Sequence, residues 1–205
     1  MSTSPREVDI MPNRNRPRRA GPKRSRARSN AHARGRRNPA HPPGTEEVRY
    51  RPRRPEDDDW IVQLARRELG DVHEQAFGEP FPEAELRQYL QSGMPTVVIE
   101  RNGRPVGFYS YLPSAEGKVH VSALVIDSKF QRKGIGRRAM ENLEAEAKRM
   151  GAHTLEVFIQ DVNPKSLAFA KQLGFREVAR MEPRTLVLWK VISSGPVLPP
   201  VAMPF

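Results

Sequence analysis

Apolar positions change their period along this chain, and the changes mark out its elements. From Met1 to Gly44 there is almost nothing to bury; Pro, Arg, Asn and Ala dominate. Ordering such a segment costs backbone entropy that no apolar contact offsets, so it is expected to be disordered. Glu46 to Arg53 predicts a short strand. Pro55 with the acids Glu56 to Asp59 then starts a helix, on which Trp60, Ile61, Leu64 and Leu69 form the apolar stripe. A second short helix is predicted from Pro82 to Gln91. The period then drops to two. Thr96 to Glu100, an Asn102-Gly103 turn and Pro105 to Leu112 read as a hairpin, and Lys118 to Ile126 as a further strand. Ile135, Ala139, Leu143, Ala147 and Met150 lie at helical spacing within a helix from Gly134 to Met150, which Gly151 ends. His153 to Ile159 is another strand. Pro164 to Leu173 is a helix capped by Asn163 and stopped by Gly174, and Phe175 to Ala179 and Leu186 to Val191 are the last strands.

The resulting order is βααβββαβαββ, an α/β chain. A strand, helix and strand in succession from Lys118 to Ile159 cannot close as a tight hairpin, so parallel pairing covered by helices is expected there. The earlier hairpin makes the sheet mixed. At 205 residues the chain suits one domain of ordinary size, placed at 45–191, between the tail 1–44 and a proline-rich C-terminal tail, 192–205.

The charge of +11 suggests a nucleic-acid binder until it is divided along the chain. Residues 1–44 hold twelve Arg and Lys against Glu7 and Asp9, which leaves 23 basic and 22 acidic residues in the remainder. Any contact with nucleic acid is therefore assigned to residues 1–44. With no cysteine, disulfides, zinc–thiolate sites and thiol nucleophiles are excluded, and no metal site is expected. No apolar run approaches the ~18 residues that span a bilayer, and no apolar segment follows the basic start as in an export signal. The expected location is the cytoplasm, with no membrane partner.

The most informative stretch runs from Leu124 to Arg138: a strand end, a polar loop with Gly134 and Gly136, and a helix start. Main-chain N–H groups at a helix N-terminus lack partners within the helix and sit at the positive end of its dipole, which suits them to phosphate. Arg132, Lys133, Arg137 and Arg138 add charge to the same turn. Gln131-x-x-Gly134-x-Gly136 after a strand resembles the pyrophosphate loop of the GNAT superfamily of acyl-CoA-dependent N-acyltransferases. Asn163-Pro-Lys-Ser-Leu-Ala-Phe-Ala-Lys-Gln-Leu-Gly-Phe175 resembles that family's second signature. The resemblance covers about residues 45–190 and implies a mixed, mostly antiparallel sheet with helices on both faces.

It further implies acetyl-CoA as cosubstrate and no metal. Leu124, Val125 and Ile126 would hydrogen-bond the pantetheine arm through their backbone. Gln131, Arg132, Lys133, Gly134, Ile135, Gly136 and Arg137 would cradle the pyrophosphate, and Asn163 would touch the cofactor arm. The implied reaction is direct attack, in a ternary complex, by a primary amine of a small molecule, peptide or protein. The alternative is a non-catalytic acyl-CoA-binding or nucleic-acid-associated module. Where the family usually has a tyrosine that protonates the departing thiolate, this sequence has Ala170; a thiol with a pKa of about 8.5 still leaves tolerably without a dedicated acid. The attacking ammonium must first lose a proton, and Glu156 and His120 are the candidates to take it. Bland roles stand beside these: Asn163 as a helix cap, Glu156 in an ion pair, His120 in packing. Phe77, Glu79, Phe81 and Glu83 lie where relatives form the acceptor pocket, although aromatics between short helices usually pack. Tyr109 and Tyr111 either line the site or fill the core.

Overall fold

The computed structural model describes residues 47–193. Seven strands form one sheet in the order β1-β2-β3-β4-β5-β7-β6. They are β1 (Val48–Pro52), β2 (Thr96–Arg101), β3 (Arg104–Pro113), β4 (Lys118–Ile126), β5 (Thr154–Gln160), β6 (Arg176–Met181) and β7 (Thr185–Val191), with helices α1 (Asp58–Phe77), α2 (Glu83–Gln91), α3 (Ile135–Arg149) and α4 (Pro164–Gln172). Short 3-10 turns at Pro55–Asp57 and Ser128–Phe130 precede α1 and α3. The predicted order of strands and helices holds throughout. Every strand pair is antiparallel except β4 with β5, the pair that α3 connects.

The two faces of the sheet carry separate cores. On one, Ile61, Val62, Leu64 and Ala65 of α1 and Leu90 of α2 pack on Val98, Phe108 and Val125. On the other, Ile135, Ala139, Leu143 and Ala147 of α3, with Ala170 and Leu173 beside α4, pack on Ile99, Val119, Val121, Leu155 and Leu188. The spacing of the α3 residues puts them all on one side of the helix, as its pattern requires. Met150 does not share their burial: it follows the last helical residue, where the chain turns away, and is 42% exposed.

Local chemistry explains the ends of the elements. Acids open α1, where they complement the helix dipole, and Gly78, in the left-handed conformation, closes it by donating to Glu74 O. Asn102 and Gly103 both take positive φ, as a tight hairpin turn demands. At the other end the chain stays packed past β7. Ile192, which the sequence reading puts in the C-terminal tail, is buried and donates its N–H to His153 O, and Ser193 Oγ donates to Ala152 O. The predicted tail 1–44 lies outside the described residues, as does 194–205.

Candidate functional site

The parallel pair β4–β5 is paired only at its start, Lys118–Val121 against Thr154–Val157. Beyond that, β4 continues to pair with β3 and β5 with β7, but not with each other. The cause lies within β4: Ser110 faces Ala123 and Tyr111 faces Val121, so Ser122 is the extra residue of a bulge, which bends its strand. The two strands therefore splay into a wedge. Main-chain groups on its inner edges have no strand partner across it, which is the arrangement an extended, amide-bearing ligand can fill. Leu124, Val125 and Ile126 line the β4 side; Val125 and Ile126 bury their side chains, so it is their backbone that a ligand could use.

At the open end of the wedge β4 runs into the loop before α3. Gly134 is the N-cap of α3 with φ 76°, and no side chain caps that first turn. A Cβ at Gly136 would sit 3.3 Å from the Phe169 ring, so glycine lets the helix start pass closely under α4. Arg132, Lys133 and Arg137 are exposed and have no ion-pair partner among the described residues; Lys133 Nζ lies 5.4 Å from the Phe130 ring centroid. Uncapped donors, the positive end of a 15-residue helix and three uncommitted cations suit a diphosphate. Ile135 is buried, so only its N–H faces that way. Gln131 behaves differently from its neighbours: its Nε2 points inward, donating to Ile126 O at 2.8 Å and to Glu68 Oε2 at 3.3 Å.

Asn163 caps α4, with Oδ1 accepting the Ser166 N–H at 3.1 Å. Ala170 is 5% exposed within the α3 core and offers no hydroxyl.

At the closed end of the wedge, His120 and Glu156 face each other in register. His120 Nδ1 lies 3.4 Å from Glu156 Oε1, near enough for charge attraction but not aligned as a hydrogen bond. Trp189 Nε1 donates to Glu156 Oε2 at 2.7 Å, and Lys118 Nζ sits 4.6 Å from the centroid of the Trp189 ring. The His120 ring packs 4.4 Å from that of Phe158. Leu112 faces His120, and Arg176 faces Trp189, so five strands contribute one transverse row: Leu112, His120, Glu156, Trp189, Arg176. Phe158 and Trp189 are 41% and 36% exposed here, so the row presents an imidazole and a carboxylate beside apolar surface.

Other candidates lie elsewhere. Tyr109 is buried against α3, where its hydroxyl accepts from Asn142 Nδ2 at 2.8 Å and burial pushes its pKa up to about 12, so it serves the core. Tyr111 packs against the same core. Phe77 and Phe81 gather around His73, with ring centroids 4.7 and 5.9 Å away. Glu83 pairs with Arg66 at 3.0 Å, and Glu79 is exposed. Sequence reasoning missed Trp189 and Glu68 altogether, because neither stands near a motif. Among the described residues no three His, Cys, Asp or Glu side chains are grouped to hold a metal ion, and no helix is long and apolar enough to cross a membrane.

Comparison with known proteins gives one consistent result. The model of the Acetyltransferase (GNAT) family matches residues 62–175. The chain is 33% identical over 101 residues to an L-methionine sulfoximine/L-methionine sulfone acetyltransferase of Salmonella typhimurium, covering 47% of this chain and 58% of that protein. It is 32% identical over 94 residues to the L-amino acid N-acyltransferase MnaT of Escherichia coli, covering 44% and 55%. The chain thus spans little more than half the length of the curated relatives it matches. Among solved structures, the PaiA N-acetyltransferase of Thermoplasma acidophilum in complex with coenzyme A superposes with a TM-score of 0.60 at 16% identity, over 71% of this chain and 99% of that one, a likeness of fold.

Proposed function

Because the chain belongs to the GNAT acetyltransferase family, we propose that it transfers an acetyl group from acetyl-CoA to the primary amine of a small, amino-acid-like acceptor. The observation that carries this reading is the wedge: β4 and β5 part immediately beyond the row that holds His120 and Glu156. A thioester arm lying in the wedge reaches that row with its acyl end, while its diphosphate meets the start of α3. Bound acetyl-CoA supplies the activated acyl group and a thiolate leaving group.

The remaining chemistry belongs to the protein. An alkylammonium with a pKa of about 10 is not a nucleophile until it loses a proton. His120 accepts it at Nε2, while Glu156 on the Nδ1 side holds the ring and stabilises its charged form. Trp189 fixes the other carboxylate oxygen. The main chain of β4 around Leu124 donates to the carbonyl oxygen as negative charge develops there. With Ala170 in place of a hydroxyl-bearing residue, the thiolate departs without a dedicated acid, which its pKa of about 8.5 permits. Phe158 and Trp189 offer an apolar platform for the acceptor's side chain, in keeping with relatives named for amino acid substrates. The reading places this activity in the cytoplasm.

Ala170 also favours a second reading, an acyl-CoA-binding module without turnover. Thiol release from acetyl-CoA across a panel of amino acids and other amines separates the two. Acceptor-dependent release supports the enzyme. Heat of CoA binding in a calorimeter without release on any amine supports the module, and neither signal at millimolar ligand defeats both.

A further inference from the structure

Glu68 lies in the third turn of α1, far from both family signatures, yet its carboxylate is committed to the loop before α3. Oε1 accepts the Ser128 N–H at 3.1 Å. Oε2 accepts from Gln131 Nε2 at 3.3 Å. The same Gln131 nitrogen donates to Ile126 O at 2.8 Å, so one amide bridges the end of β4 and the α1 carboxylate. A second clip runs alongside: Arg67 Nη2 donates to Asp127 Oδ2 at 2.9 Å, and Asp127 Oδ1 accepts the Lys129 N–H at 3.0 Å. Every residue from 126 to 131 except Phe130 is thus held by one of these clips, directly or through a neighbouring amide.

The electrostatics make this arrangement informative. Glu68 is only 11% exposed at its side chain, beside a loop whose uncapped donors and cations suit a dianion. A carboxylate there opposes an incoming phosphate, and partial burial strengthens the opposition. Its charge is met by Arg67 Nε at 3.2 Å and by the two donors of the loop. A group that works against the ligand by charge and is retained in contact with three loop-side donors contributes by geometry. Gln131 reinforces the point. Both hydrogens of its amide are directed inward, so its side-chain nitrogen shapes the loop instead of reaching toward phosphate.

We infer that Glu68 is a positioning residue for acetyl-CoA: through Ser128 and Gln131 it sets the loop between β4 and α3 in the form that presents main-chain N–H groups to the diphosphate. The inference rests on the reading of that loop as the pyrophosphate site. It also ties the cofactor loop to α1, whose far end carries the His73, Phe77 and Phe81 cluster. The two clips are unequal. Arg67 is 54% exposed, and an ion pair so open contributes little. The Glu68 contacts are shielded and charge-assisted, so they carry most of the effect.

The test compares Glu68→Ala, Glu68→Gln and Arg67→Met in the full chain. Readouts are the CoA dissociation constant by calorimetry, KM for acetyl-CoA, kcat and thermal midpoint. Glu68→Ala is expected to weaken CoA and raise KM about tenfold, the equivalent of one lost charge-assisted hydrogen bond, with kcat at saturation within about twofold of the parent. Glu68→Gln retains an oxygen for the Ser128 N–H and is expected to lose less. Arg67→Met should change neither constant by more than about twofold. Gln131→Ala combined with Glu68→Ala should be no worse than the poorer single variant, because both act through one contact. A lower thermal midpoint with unchanged CoA affinity, or tighter CoA binding in Glu68→Ala, overturns the inference. Absence of CoA binding in the parent protein would instead overturn the reading of the loop itself.

Discussion

His120 and Glu156 sit one pair short of the point where β4 and β5 part, which makes them the side chains best placed to act on an amine entering the wedge. His120→Ala is expected to lower kcat about a hundredfold, the usual contribution of a positioned base, while KM for acetyl-CoA stays within about threefold. Trp189→Phe keeps the ring under Lys118 but removes the donor to Glu156, and a smaller loss of kcat, about tenfold, is expected. Steady-state kinetics with acceptor and acetyl-CoA varied separately checks both. A different acid belongs to stability. Asp57 is held below the usual carboxylate range by hydrogen bonds from the Arg51 guanidinium, despite burial that acts the other way. A depressed folded-state pKa means that the unfolded chain binds the proton more readily. The contribution is therefore full above about pH 4 and is lost as pH falls through the folded value. Arg51→Met should shift the acid-unfolding midpoint, followed by circular dichroism, to higher pH. Of these residues, His120 and Glu156 could be picked out of the sequence for their chemistry alone. Trp189 could not, since its partner lies on another strand and only the register of β5 with β7 joins them.

At the scale of elements, the loop and first turn of α3 were legible in advance, because their signal is local: two glycines, flanking cations and a change of period. Gly134 tests the element directly. Its φ of 76° disfavours any side chain, yet a Cβ there meets no heavy atom within 4 Å. Gly134→Glu therefore costs about 1–2 kcal/mol of backbone strain without a clash, measurable as a modest fall in thermal midpoint. The larger effect is expected on ligand binding, since the new carboxylate stands at the helix N-terminus among donors that suit phosphate. CoA affinity by calorimetry should fall at least about tenfold, and unchanged affinity would remove the loop from the site. The bulge at Ser122 was not legible. Nothing in the run from Lys118 to Ile126 distinguishes an extra residue from ordinary alternation, because a bulge is defined by the partner strand.

For the molecule as a whole, two cores on opposite faces of one sheet leave the splayed end of β4 and β5 open while the strands on either side stay paired. The basic residues 1–44 stand apart in composition, and their contact with nucleic acid is a separate proposal. Deleting them is expected to abolish binding to a labelled oligonucleotide and its steep salt dependence in fluorescence anisotropy, while leaving CoA affinity unchanged; binding retained after deletion would reassign it to the remainder of the chain. What the sequence determined by itself was the succession of strands and helices, the phosphate-suited loop and the absence of a hydroxyl at Ala170, since period, capping and residue identity are all properties of neighbours along the chain. Tertiary structure alone decided the wedge, the transverse row from Leu112 to Arg176 and the reach of Glu68 to Ser128 and Gln131. Each of these depends on which strands become neighbours and in what register, a choice made by burial of the two faces together and written at no single position.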